Sequence, residues 1–526
     1  MPAPNQKLAA SLRRLRALQR NGRRVFQSDD LTRLHRQRLL DSGFLQEVVK
    51  GWLISASPTA RPGDSTPWYA SFWEFCTQYC TERFGAKWHL SAEQSTLLLA
   101  ENTVVPRQVI VHSPAGTNNA VKLPFGTSLY DLKQPQMPPA ADLVTRDGLR
   151  LFSPAAALMR LSESFFRRYS IESQILLASI RDSSDILGRL LDGGHSAIAG
   201  RLAGAFRRMG RSEIAAEIIA TMKAAGYDVR ETDPFEPQQV LASPAYATPA
   251  IVGRLQTLWE TSRGTILRVF PKPPGLTFDH KAYLDRVEET YKSDAYHSLS
   301  IEGYTVTPDL IMRVASGKWD PANYEADKSS RDALAARGYW QAFQSVKTSV
   351  AQIIEGKNPG ALVRTTHRDW YRELFQPCVA AGIIPPSALA GYRNDAVYLR
   401  TSRYVPPRWE AVRDAMPTLF DLLEKEPEPG VRAVLGHWLL GYIHPYPDGN
   451  GRLARFLMNA MLSSGGYRWT VIKVDDRDEY LAALDRASVD ADIAPFATFI
   501  AQRVRPVPRK RAVAKRAPMK RVSARS

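Results

Sequence analysis

His444, Asp448, Arg452 and Arg455 fall within twelve residues, HPYPDGNGRLAR at 444–455, and their types suit chemistry on a nucleotide polyphosphate. Gly449 and Gly451 can take positive φ without a Cβ penalty, so successive N–H groups can line one concavity for phosphate oxygens. Leu453, Phe456, Leu457, Ala460 and Met461 then share one helical face, so the loop delivers its anion to a helix N-terminus. Arg452 and Arg455 supply forked charge for the outer phosphates. Asp448 is the one hard oxygen ligand of the run, suited to a Mg²⁺ that keeps most of its waters and bridges phosphates. His444 is left as the proton acceptor, because its ordinary pKa lies near working pH.

These groups need elements to hold them. Val431, Val434, Leu435, Trp438, Leu439 and Tyr442 give the helix entering the loop a core face, and His437 on it reads as a satisfied structural histidine. DEYLAALDRASVDADIAPFATFIAQRV continues in helices beyond it. Upstream, Tyr283, Leu284, Val287, Tyr291 and Ala295 mark an amphipathic helix running into HSLSIEGYTVT. Ser298 and Glu302, four apart, face the same way, and Gly303 stops the helix. By itself Glu302 also reads as a member of an ordinary surface ion pair. In GYRNDAVYLRTSRYVPP, 391–407, alternation predicts a short strand at AVYLR that the paired prolines end. A plain surface hairpin is the other reading of that stretch.

The loop resembles the motif of the Fic family, His-Pro-Phe-x-Asp/Glu-Gly-Asn-Gly-Arg-x-x-Arg, with Tyr446 in the phenylalanine's place. A tyrosine buried there needs a partner for its hydroxyl. The resemblance implies a mainly α chain with a Fic-type helical domain over 245–505, comprising an inhibitory helix at 280–303, a short β-hairpin flap at 391–407 and the active loop at 444–455. It implies a protein adenylyltransferase (AMPylator) that moves AMP from ATP to a Ser, Thr or Tyr hydroxyl of a target protein. His444 would be the catalytic base. Gly449, Asn450, Gly451, Arg452 and Arg455 would bind ATP, with Mg²⁺ on Asp448. Family members with lysine at the second glycine act as kinases, so Gly451 and Arg452 favour AMP transfer. HSLSIEG is similar to the family's inhibitory Ser/Thr-x-x-x-Glu-Gly/Asn, in which Ser298 and Glu302 would hold Arg455 away from the γ-phosphate. The flap, through Tyr398, Leu399 and Arg400, would pair backbone-to-backbone with the target. Removal of AMP, supported by the same glutamate, and a homodimer are also compatible with the family.

The rest of the chain sets the context. A length of 526 residues exceeds one core, and 44% hydrophobic with 23% charged residues is an ordinary globular composition. No stretch is long and apolar enough to span a membrane, and the N-terminus lacks a signal peptide's apolar core, so a cytoplasmic protein is expected. Cys76, Cys80 and Cys378 form no metal or disulfide pattern and read as reduced core residues. A net charge of +17 favours an anionic partner.

At 1–55, Leu8, Leu12, Leu15 and Leu18 mark a first helix. Ser28 is expected to cap a second, a third ends at Gly43, and two strands turn at Lys50-Gly51. This is a winged helix-turn-helix, and it resembles the N-terminal domain of AbiEi-type antitoxins. That resemblance implies DNA contacts by His35, Arg36, Arg38 and Lys50; such modules also dock proteins. An α+β middle domain at 60–230 carries an aromatic stripe (Trp68, Phe72, Phe75, Tyr79), strands in VVPRQVIVHS and KLPFGTSLYDL, and small residues near Gly200 suited to close helix contact. Residues 506–526 are a basic tail without a core. The alternative function is therefore a DNA-binding regulator, antitoxin-like, whose Fic half senses nucleotide.

Overall fold

A computed structural model describes residues 4–59, 63–236, 249–276, 279–318 and 331–505. The basic tail and the proline-rich boundary at 237–248 lie outside the described residues. The chain is mainly α, as expected, with three small sheets.

The amino-terminal unit holds α1 (Pro4–Leu18), β1 (Val25–Gln27), α2 (Arg33–Asp41), β2 (Leu45–Val49) and β3 (Trp52–Ser55). Leu15, Phe26, Leu31, Leu39, Leu45 and Leu53 close its core. Three expectations change here. The segment at Ser28–Asp30 is a single 3₁₀ turn rather than a helix, because the Asp30 carboxylate is drawn back to the Gln27 N–H (2.8 Å) and Arg23 (2.5 Å). The cap of α2 is Thr32, not Ser28. The hairpin also gains β1 as a third strand, in the order β1-β3-β2.

The second face of that sheet (Val25, Trp52, Ile54) packs on α3 (Thr66–Phe84), where Trp68, Phe72 and Phe75 are fully buried. Beside α3 lie α4 (Ala92–Leu99) and a four-stranded sheet of β4 (His89–Leu90), β5 (Gln108–Ser113), β6 (Asn119–Lys122) and β7 (Ser128–Lys133), ordered β4-β5-β7-β6. KLPFGTSLYDL is thus two strands, since Phe125 turns the chain at φ 53°. Upstream of Gln108, VVPR does not join β5; the Val105 N–H instead donates to the Arg403 carbonyl at 2.8 Å. A hairpin, β8 (Leu143–Arg146) with β9 (Leu149–Phe152), leads into α5 (Pro154–Leu158), α6 (Glu163–Arg168), α7 (Ser170–Ser179), α8 (Ser184–Asp192), α9 (Ser196–Arg208) and α10 (Ser212–Ala224). Gly200 and Gly204 do permit a close approach, but of the extended carbonyls of Arg230 and Thr232 rather than of another helix.

The largest core belongs to the carboxy-terminal half. It is built from α11 (Ala250–Val269), α12 (His280–Ile301), α13 (Pro308–Ala315), α14 (Arg331–Ile354), α15 (Pro359–Ala380), α16 (Val412–Lys425), α17 (Pro429–Ile443), α18 (Asn450–Ser463), α19 (Arg477–Asp490) and α20 (Ala494–Val504). Here α17 and α18 pack along one another, buried on nearly every face, and the 444–449 turn joins them. All three cysteines are buried and free. Among the described residues no helix is long and apolar enough to cross a membrane.

Candidate active site

Helix α17 ends at His444, whose backbone is left-handed (φ 51°, ψ 59°). That conformation is costly for a residue with a Cβ and turns the chain sharply out of the helix. The imidazole Nδ1 donates to the Gly441 carbonyl at 3.2 Å, which leaves Nε2 with its lone pair. Burial pushes His444 down to about 4, with the Gly441 carbonyl acting the other way and Arg393 adding to the lowering. The ring is therefore neutral at physiological pH, as a base must be.

The turn is then closed from within. Asn450 Oδ1 accepts from the Tyr446 N–H (3.0 Å) and Asn450 Nδ2 donates to the Tyr446 carbonyl (2.7 Å). The Asn450 side chain is thereby committed to the loop, and what remains for an anion is its backbone N–H at the first turn of α18. Gly449 is left-handed (φ 82°), and a Cβ on it would press on the Phe375 ring. Gly451 departs from expectation: it is helical, without positive φ. Its lack of a side chain has another cause, because a Cβ there would overlap the Glu302 carboxylate. Tyr446 is fully buried, stacked on Tyr371 with centroids 3.9 Å apart. Among the described residues its hydroxyl has no hydrogen-bond partner.

Arg452 is buried, its guanidinium 5.0 Å over Phe375 and 5.2 Å over Tyr304, with its Nε unpartnered among the described residues. Asp448 lies half-exposed at the rim; Oδ1 accepts from the Gly449 N–H (2.6 Å) and Oδ2 stands 3.4 Å from Arg452. Among the described residues no group of three or more His, Cys, Asp or Glu side chains gathers as a metal cage. A single accessible carboxylate fits a Mg²⁺ that keeps its waters and takes its other oxygens from substrate phosphates.

Arg455 is where the two distant motifs meet. Its Nε donates to Ser298 Oγ (2.8 Å), and Nη2 donates to the Ser298 carbonyl (3.1 Å) and to Glu302 Oε1 (2.6 Å). Helix α12 brings both residues over α18, and Gly303 (φ 88°) turns the chain away after Glu302. Burial would raise the Glu302 carboxyl, but the charges of Arg455, then Arg452, hold it below the usual range. Burial likewise opposes the Arg455 charge, and Glu302 holds that group above the ordinary guanidinium value. A cleft of about 750 Å³ opens here, lined by Glu302, His444, Gly451 and Arg455 together with Leu399 and Arg400.

The 391–407 segment carries no strand. No neighbouring strand pairs with AVYLR; the segment is held by other contacts. Tyr398 lies under the Arg24 guanidinium (4.8 Å), and Leu399 packs on the large core. Val405 packs on the core around α3, and its carbonyl accepts from Thr103 Oγ1. Only Arg400 of the three flap residues is exposed.

His437 corrects the satisfied reading: Nε2 meets the Tyr480 hydroxyl at 2.7 Å, but Nδ1 has no partner among the described residues, and burial pushes the ring down to about 3. In the amino-terminal unit, His35 and Arg36 are tied inward, His35 Nδ1 to Ser11 Oγ (2.9 Å) and Arg36 Nη1 to the Ser28 carbonyl (2.9 Å). Helix α2 instead exposes Arg33, Leu34 and Gln37, with Arg38 half-buried, and Lys50 is exposed at the hairpin tip. The residue most clearly missed in the sequence is Arg393, buried behind His444. Its signal was faint, a lone arginine before a turn-rich stretch.

Residues 361–462 match the Fic/DOC family model. The Fic match contains the whole 444–455 loop and the 391–407 segment, and Glu302 lies upstream of it. The chain is 32% identical over 220 residues to a protein adenylyltransferase Fic of Nematostella vectensis, covering 41% of this chain and 47% of that protein. It is 28% identical over 229 residues to protein adenylyltransferase fic-1 of Caenorhabditis elegans, covering 42% of each. The chain thus spans about half the length of the curated Fic relatives it matches. Among solved structures it is similar to Fic-1 of C. elegans, with 19% identity, coverage of 64% of this chain and 95% of that one, and a TM-score of 0.35.

Proposed function

We propose that this protein is an adenylyltransferase that moves AMP from ATP to a Ser, Thr or Tyr hydroxyl of a target protein. The observation that carries the reading is a neutral imidazole with a free Nε2, set in one cleft with a helix N-terminus and the buried Arg455. In this reading the backbone N–H groups of Asn450 and Gly451 hold the inner phosphates beside the Gly449 turn, and Arg452 and Arg455 hold the outer ones. Asp448 would hold Mg²⁺, which supplies charge neutralisation along the polyphosphate. His444 Nε2 takes the proton of the target hydroxyl. The target oxygen forms a bond to the α-phosphorus as the bond from that phosphorus to the bridging oxygen breaks, and pyrophosphate leaves with the electron pair. The protein's contribution is mainly positioning and charge stabilisation.

Glu302 acts as the brake, since its carboxylate occupies the Arg455 donor that a γ-phosphate needs and repels that phosphate. The 391–407 segment seats the target. The family's removal of AMP belongs to the same site, with Glu302 in place as its helper. A cytoplasmic location is part of the same proposal.

The test is incubation with ATP labelled at the α- or the γ-phosphate, with extract protein as acceptor. Label from the α-position that survives denaturation, requires Mg²⁺ and vanishes with His444→Ala supports the reading; transfer of the γ-label instead would make the enzyme a kinase and overturn it. A second reading is favoured by the outward side of α2, where Arg33 and Gln37 flank Leu34 at 68% exposure, and by the exposed Lys50 at the hairpin tip. That surface suits nucleic-acid contact, and its test is duplex binding that weakens with salt and with Arg33→Ala or Lys50→Ala.

A further inference from the structure

Arg393 is a buried cation, 2% exposed, whose side-chain hydrogen bonds among the described residues all run to backbone carbonyls. Nε donates to the His444 carbonyl at 2.8 Å. One terminal nitrogen donates to the Asp395 carbonyl (2.9 Å), and the other to the Pro407 carbonyl (2.5 Å), with the Ile443 carbonyl at 3.4 Å. Its own N–H donates to the Pro445 carbonyl at 2.9 Å. These partners form two groups. Ile443 and His444 are the last carbonyls of α17, which have no partner within the helix and favour a cation. Asp395 and Pro407 lie near the two ends of the segment that reaches the cleft through Leu399 and Arg400.

Burial brings Arg393 down to about 10. A desolvated guanidinium with no carboxylate bonded to it is costly, so the arrangement persists because it satisfies several otherwise unpaired acceptors at once. His444 meanwhile holds a left-handed backbone that its Cβ disfavours. Only a support on both sides of the turn keeps such a conformation unique.

We infer that Arg393 is a positioning residue that makes the His444 backbone and the target-seating segment one rigid unit, fixing the separation between imidazole and acceptor hydroxyl. This rests on the adenylyltransferase reading above for what the separation is used for. Lysine cannot substitute: its ammonium is a compact donor that cannot reach both groups of carbonyls in the planar fork the site requires.

The experiment uses the full chain in a Glu302→Gly background, with Arg393→Lys and Arg393→Met added. Four quantities are read: kcat for AMP transfer, the Kd for ATP, the unfolding midpoint, and the His444 ring resonance in histidine-labelled protein assigned with His444→Ala. Arg393→Lys is expected to lower kcat on the order of 100-fold, the scale of a 1 Å misplacement, while the Kd for ATP stays within about twofold. The His444 resonance should shift and broaden in both variants. Guanidinium ion at millimolar concentration should restore part of kcat to Arg393→Met but not to Arg393→Lys. A folded Arg393→Lys protein with an unchanged His444 resonance overturns the inference, as does a loss of ATP binding that accounts for the whole fall in activity. Should Arg393→Met not fold, kcat and the resonance of the lysine variant decide the question by themselves. If the parent Glu302→Gly protein transfers no AMP, the adenylyltransferase reading fails separately, and the resonance still decides whether Arg393 positions His444.

Discussion

Replacing Glu302 with glycine removes one charged hydrogen bond and leaves the rest of the Arg455 anchorage in place. The carboxylate lies 2.6 Å from Arg455 Nη2, the arginine side chain 4% exposed and the glutamate 28%. A charge-assisted bond in such surroundings contributes about 1.5–3 kcal/mol net. An incoming γ-phosphate must displace it, so its removal returns that amount to productive ATP binding. At 1.4 kcal/mol per decade the gain is about 10- to 150-fold. Arg455 retains Ser298 Oγ at 2.8 Å and the Ser298 carbonyl at 3.1 Å, so the variant should fold, with its unfolding midpoint lowered by a few degrees. Glu302→Gln keeps an acceptor but no charge, and should fall between wild type and glycine. The assay is the initial rate of α-label incorporation from ATP into extract protein, alongside ATP affinity from equilibrium binding. A glycine variant that folds, binds ATP and labels at the wild-type rate would refute the assignment of Glu302 as brake.

Tyr446→Phe should stabilise the protein by about 1 kcal/mol, because it deletes a fully buried hydroxyl without a partner and keeps the stack on Tyr371; a lower unfolding midpoint would contradict this. Asp294, on α12 one turn before Ser298, is pushed up to about 6 by burial, against the pull of the Tyr339 hydroxyl 2.6 Å away. Its folded pKa exceeds the unfolded 3.8, so its ionisation destabilises the fold as pH rises between those values. Asp294→Asn should therefore raise stability at pH 7 by up to about 3 kcal/mol, an advantage that disappears below about pH 4 in denaturant titrations. For AMP transfer by Glu302→Gly, which lacks a carboxylate that raises His444, the acid limb of kcat/KM should lie no higher than the wild-type value of about 4, with a flat profile from pH 6 to 8. A limb near 6.5 would show that His444 is not the buried base described here.

The 444–455 loop was legible as a candidate site because its chemistry is local. A histidine at a helix end, a Gly449 turn and two arginines one helical turn apart stand within twelve residues, and helix periodicity alone puts Arg452 and Arg455 on one side of α18. The four-residue spacing of Ser298 and Glu302 was local as well, as was the burial of the Trp68–Phe72–Phe75 stripe. The strand expected at AVYLR failed because alternation shows only that a segment could pair, and pairing requires a neighbour. Here Tyr398 and Val405 met the amino-terminal half instead. The same limit hid the reason for Gly451, which is the Glu302 carboxylate 149 positions earlier in the chain, and the role of Arg393, whose acceptors are carbonyls that every residue possesses. Composition and spacing thus determined which groups could act on a polyphosphate. Only tertiary packing decided which of them are neutral, which are blocked and which are held, because burial and through-space charge depend on neighbours that the order of residues does not name.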